Sequence, residues 1–168
     1  MNIISKPEQL PSSSSFLEGH STISASLAAF AADFSLDEAP SHVVERAKLH
    51  ILDCFGIALA STTFEFGQRA ANALRALGGD GGYPVIGFDM ALPVRDQALL
   101  NGTLIHGLDF DDTHTDGVIH ASASALAAAF AQGLRHDASG SEMMAAYLIG
   151  VEVSARIGAA AQGGFHSR

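Results

Sequence analysis

Apolar residues recur at three- and four-residue intervals through most of this chain. Val44, Ala47, Ile51, Phe55, Ala58 and Leu59 form one such stripe and predict an amphipathic helix from about residue 41 to 62, with Ser41 after Pro40 at its start. The same periodicity predicts helices from Ser21 to Phe34, Phe66 to Leu77, Val94 to His106, Ser122 to Leu134 and Glu142 to about Ala160. Ser139-Gly140-Ser141 introduces the last of these, and alanine-rich composition favours the fifth. Between them lie a turn at Ser35–Pro40 and a flexible turn at Gly78-Gly79-Asp80-Gly81-Gly82. Tyr83–Phe88 is a short extended piece at best, because proline cannot donate within a ladder. The expected fold class is all-α, a compact helical bundle with short connections and small side chains that let helices approach closely.

Composition changes this picture in one respect. At 48% hydrophobic and 16% charged residues, the 168-residue chain is unusually apolar, so part of its apolar surface is expected to meet another domain or a partner subunit. Eighteen acids against nine Lys and Arg give a net charge of −9, which leaves no basic field for nucleic acid. The lone Cys54 excludes an internal disulfide and reads as a packed core residue in a reducing, cytoplasmic setting. Residues 1–20 read as a disordered leader, with neither a secretory nor a transit-peptide pattern. No membrane span is expected: Ala121–Leu134 is too short, and Met143–Ala161 carries Glu152 and Arg156 in its middle. The glycine cluster lacks the GK[ST] of a phosphate cradle and reads as a turn.

Chemistry concentrates in residues 101–120, where four aspartates and three histidines fall in one short stretch. Carboxylate and imidazole are the side chains best able to exchange protons near neutral pH, so the segment reads as a proton-transfer site. Asp109, Asp111 and Asp112 would repel one another unless some are paired, hydrogen-bonded or protonated. For Asp111 and Asp112, capping or structural bonding is favoured slightly over function. The Thr113 hydroxyl suits either a substrate carboxylate or a local backbone bond. His106 falls on the preceding helix, where it is a candidate second partner; His114 faces the loop or solvent. His20, His42, His50 and His136 are assigned no chemistry.

The segment Asn101-Gly102, His106, then Asp109-Phe110-Asp111-Asp112-Thr113 and, after a spacer, His120 resembles the MmgE/PrpD family. So do Val44–Gly56 upstream and Gly150–Gly158 downstream, and together the likeness covers roughly residues 22–168. That family contains 2-methylcitrate dehydratases, cis-aconitate decarboxylases and iminodisuccinate epimerases, in two-domain chains with a helical domain followed by an α/β lid. The resemblance implies that residues 21–168 are the first part of the helical domain, with the lid absent. It implies catalytic roles for Asp109, Thr113 and His120, substrate contacts for His106 and Asp112, no cofactor and no metal. Ala121-Ser122 stands where the family usually has Pro-Ser. His166 is either the second active-site histidine of a Gly-Phe-His-x-Thr context or a neighbour preceding it.

The function these readings favour is a fragment of a cofactor-independent lyase or isomerase that acts on small di- or tricarboxylates by proton transfer next to a carboxylate, inactive alone. Its alternative is a non-catalytic, truncated helical module acting in dimerisation or interaction; an open reading frame continuing past Arg168 would favour the enzyme. A third reading is a metal-dependent hydrolase using His106, Asp109, Asp111, Asp112, His114 and His120, although no HExxH or paired-cysteine spacing is present. A homodimer through the alanine-rich helices is the expected assembly.

Overall fold

The computed structural model describes residues 22–79 and 81–161. Six α-helices span α1 Ile23–Asp33, α2 Ser41–Ser61, α3 Glu65–Gly78, α4 Val94–His106, α5 Ala121–Arg135 and α6 Gly140–Ala160, with a 3-10 turn at Leu36–Glu38. Each expected helix is found within two residues of its expected ends. The starts that differ most are those of α1 and α6, by two residues each; α2 begins at Ser41 as expected, with Pro40 as N-cap, and the fixed φ of proline sets the entry there without a side-chain bond. The start of α6 is a full capping box: the Ser139 hydroxyl accepts from the Glu142 N–H, and the Glu142 carboxylate accepts from the Ser139 N–H.

One element departs from an all-helical reading. Strands β1 Tyr83–Pro84 and β2 Ala91–Leu92 pair antiparallel, Tyr83 opposite Leu92 and Pro84 opposite Ala91. Proline is tolerated because the ladder is two strands wide and its nitrogen faces no third strand. Two fully buried polar residues of α4 hold this hairpin down: the Gln97 amide donates to the Pro84 carbonyl at 3.1 Å, and the Asn101 side-chain oxygen accepts from the Ile86 N–H at 3.0 Å. Asn101, the first residue of the site motif, therefore has a structural task.

The centre of the bundle is α5, which packs chiefly against α6 on one side and α4 on the other, while α2 and α3 cover α4. Ala121, Ala123, Ala125, Ala127, Ala129 and Ala131 of α5 are all buried. Small residues set these distances: a Cβ on Gly150 would sit 3.0 Å from that of Ala125. Leu92, Leu100, Leu104, Ile105, Leu126 and Leu148 complete a core with almost no exposure. The buried alanines of α5 are thus used inside one chain, while Ala123 and Ala127 also floor an open cleft between α4 and α5. By length and composition α6 could cross a membrane, but Glu152 within it is buried and paired with Arg156 at 2.8 Å, and the helix lies along α5.

Candidate active site

The loop between α4 and α5 carries the aspartates and histidines. It leaves α4 through Asp109, whose φ of 57° lies in the left-handed region, and turns back at Val118, φ 50°. Asp109 adopts this conformation more readily than most side chains, because a short polar group can bond locally; Val118, β-branched, is held there by its surroundings. His114 and Ile119 bridge the loop through paired backbone bonds, and the His114 Nδ1 accepts from the Gly117 N–H at 3.0 Å. Gly117 rests on α6 so closely that a Cβ on Gly158 would lie 2.7 Å from its carbonyl oxygen.

Asp111 is the hub. Its side chain is completely buried, and its two oxygens lie 3.0 and 3.2 Å from the His106 Nδ1. The same carboxylate lies 3.5 Å from the His120 Nδ1, while the Nε2 of His120 lies 3.5 Å from the Asp109 carboxylate, which is 81% exposed. The imidazoles of His106 and His120 face each other with centroids 5.0 Å apart. His120 is the N-cap residue of α5 but makes no side-chain cap bond, which leaves its ring free for the loop. The capping is done by Asp112, whose carboxylate accepts from the Ser122 N–H at 3.2 Å. Asp112 thus has the structural bond expected of it, whereas the partners of Asp111 are the site histidines, so its bonds belong to the site.

Asp109, His106 and His120, all singled out in the sequence, therefore meet, and Thr113 does not join them. Three cavities flank the loop, one of them, of about 310 Å³, lying between His120 and the Ser154–Gly158 stretch of α6. His106 and His120 line an open cleft of about 890 Å³ between α4 and α5, floored by Ala98, Gly102, Ala123 and Ala127. Thr113 and Asp112 line a separate cavity of about 160 Å³ with His50, His114 and Tyr147. His50 had been given no chemistry; its approach to this cavity comes from the packing of α2 and has no signal in the local sequence. Beneath it, Ser122 and Tyr147 share a hydrogen bond of 2.6 Å, and burial pushes the Tyr147 phenol above its ordinary range.

One ligand atom from each of His106, Asp109, Asp111 and His120 lies within 4.8 Å of all the others, so these four could hold a metal ion. An ion bound at about 2.0–2.2 Å from such donors would compete with the His106–Asp111 hydrogen bond. His114 and Asp112, also possible ligands by sequence, stand outside the quartet.

The fold is a helical bundle that presents an imidazole–carboxylate cluster at the end of an apolar cleft. Residues 25–167 match the family described as MmgE/PrpD N-terminal domain, and the chain belongs to that family. Among its relatives is a cis-aconitate decarboxylase-like protein, oryM, of Aspergillus oryzae, 28% identical over 86% of this chain and 33% of its own length. Cis-aconitate decarboxylases of Aspergillus terreus and Homo sapiens are 29% and 32% identical, over 85% and 68% of this chain and 30% and 25% of theirs. The chain thus spans about a third or less of the curated relatives it matches. No solved structure matches it. His166 and the expected leader lie outside the described residues.

Proposed function

We propose that this chain forms part of a lyase or isomerase that moves a proton at a carbon next to a carboxylate of a small di- or tricarboxylate. The observation that carries the reading is the His106–Asp111–His120–Asp109 cluster at the mouth of the apolar cleft. His120 is the acid or base, Asp109 meets its outer nitrogen, and His106 supplies a second imidazole beside it. Thr113 and Asp112 contribute from the neighbouring cavity, where the hydroxyl suits one end of a multiply charged substrate. The named relatives act on cis-aconitate, which is the first substrate to try. The same reading includes a cytoplasmic setting and a homodimer, with neither membrane nor nucleic acid as partner.

Among the described residues lining the three cavities there is no lysine or arginine. A tricarboxylate needs cationic partners, so residues 1–168 by themselves should bind such substrates weakly and turn them over negligibly. The test follows the ring signals of His106 and His120 by NMR as cis-aconitate or 2-methylcitrate is added, with turnover assayed in parallel and an authentic cis-aconitate decarboxylase as the positive control. Perturbed rings without turnover are the expected result. Turnover of about 1 per second or more would show that these residues suffice; rings that ignore every di- and tricarboxylate would overturn the lyase reading.

The quartet of ligand atoms supports a second reading, a metal-dependent hydrolase. Elemental analysis after chelation and dialysis separates the two: near-stoichiometric zinc, iron or manganese that disappears in His120→Ala favours the metal, and its absence favours plain acid–base chemistry.

A further inference from the structure

Asp111 faces the same nitrogen of two different histidines. Its buried carboxylate lies 3.0 and 3.2 Å from the His106 Nδ1 and 3.5 Å from the His120 Nδ1. The His120 Nδ1 is itself buried and makes no hydrogen bond in the structure; the Asp111 carboxylate, 3.5 Å away, is the acceptor it faces. The opposite nitrogen, Nε2, points to the exposed Asp109. An ionised carboxylate has only acceptors to offer, and a neutral imidazole has one N–H. His106 therefore carries its hydrogen on Nδ1. The two nitrogens of His120 each lie 3.5 Å from a carboxylate, and burial separates them: Nδ1 is buried beside the buried Asp111, whereas Nε2 faces the exposed Asp109, so the hydrogen belongs on Nδ1 and Nε2 keeps its lone pair.

We propose that Asp111 is a positioning residue that holds His120, and His106 with it, in the Nδ1–H form, which makes His120 Nε2 the proton-exchanging atom of the site. The proposal rests on the acid–base reading above and specifies its atoms. In the forward sense Nε2 takes the proton of a substrate C–H bond, and the electron pair of that bond stays on the substrate carbon next to its carboxylate. The imidazolium so formed keeps its Nδ1–H toward Asp111, whose negative charge stabilises it. In the reverse sense the same Nε2–H delivers a proton to carbon. Sharing one carboxylate also fixes the two rings relative to each other, as an outer partner fixes the orientation of a working histidine.

The loop contains its own control. The His114 Nδ1 accepts from the Gly117 N–H, which requires the opposite tautomer, with hydrogen on Nε2. Long-range proton–nitrogen correlation spectra of the 15N-histidine-labelled chain, taken at about pH 8 so that unperturbed imidazoles are neutral, read all three rings at once. His106 and His120 should show a protonated Nδ1 and a bare Nε2, and His114 the reverse. Asp111→Asn should shift His120 toward Nε2–H. Asp109→Asn, on the exposed side, should leave it as Nδ1–H.

A His120 protonated at Nε2 in the unaltered chain overturns the proposal. So does a Nδ1–H pattern that survives Asp111→Asn in a variant whose helical circular dichroism matches the parent. Should Asp111→Asn fail to fold, the unaltered chain and Asp109→Asn decide alone. Rings that are Nδ1–H yet ignore every di- and tricarboxylate support the positioning and refute only the lyase reading.

Discussion

Cys54 illustrates how far a single residue can be read from its neighbours. It is 1% exposed, and its thiol is pushed up to about 12, first by burial, then by the carboxylates of Asp112, Asp53 and Asp111, with the Ser122 hydroxyl acting the other way. A thiol with a folded pKa above its unfolded value contributes stability that is complete below about pH 8.5 and is lost as pH rises toward 12. Urea midpoints should therefore fall between pH 9 and 11, by at most about 1.4 kcal/mol per pH unit for this one group, and Cys54→Ala should flatten the slope. Iodoacetamide should react with the native thiol far more slowly than with the unfolded one. The core role of Cys54 was legible because one thiol on an apolar helix has few alternatives. The division of labour between Asp111 and Asp112 was not: the two are adjacent in sequence, yet one is turned to His106 and the other to the Ser122 N–H. Only the path of the loop decides that, and no local pattern encodes it. Ser122→Ala should cost about 1–3 kcal/mol, because it leaves the buried Tyr147 hydroxyl without its 2.6 Å partner; chemical denaturation measures the loss.

At the scale of elements, the helices were readable because each buries one stripe, and a stripe leaves a period. Of the hairpin only the extended piece at Tyr83–Phe88 was readable and its pairing with Ala91–Leu92 was not, since two residues per strand carry no period and its stability comes from Gln97 and Asn101 on another element. Replacing Asn101 by Leu should cost about 1–3 kcal/mol by leaving the Ile86 N–H unpaired, and should raise hydrogen exchange at Ile86 more than in α6. The capping box of α6 gives a local contrast. Ser139→Ala should cost about 1 kcal/mol in denaturant unfolding, with early exchange confined to the first turn. Thr113 marks the limit of this scale. Its place in the motif is clear, but whether it faces the histidines depends on which side of the α5 start the loop passes, and the loop takes it to a separate cavity.

For the whole molecule, the excess of apolar residues has an outlet that periodicity alone could not locate. The alanines of α5 are consumed in the core, whereas Leu49, Leu52 and Leu59 of α2 are 57%, 69% and 52% exposed. Spaced three and seven apart, with Gly56 between them and open space in front of it, they form one stripe along a single helix face. Each 100 Å² of apolar surface left wet forgoes about 2.5 kcal/mol, which favours covering this stripe. The net charge of −9 opposes a second copy but is screened beyond about 8 Å at physiological salt. The homodimer included in the proposed function would meet through this stripe on α2, away from the cleft between α4 and α5. Light scattering coupled to size exclusion at micromolar concentration should give twice the 17.4 kDa of one chain, and Leu52→Asp should return it to one while keeping the helical circular dichroism. Leu99, 56% exposed at the cleft, supplies the comparison. If Leu99→Asp rather than Leu52→Asp separates the copies, the interface lies over the site; a monomer that binds no hydrophobic dye would show that neither face needs a partner.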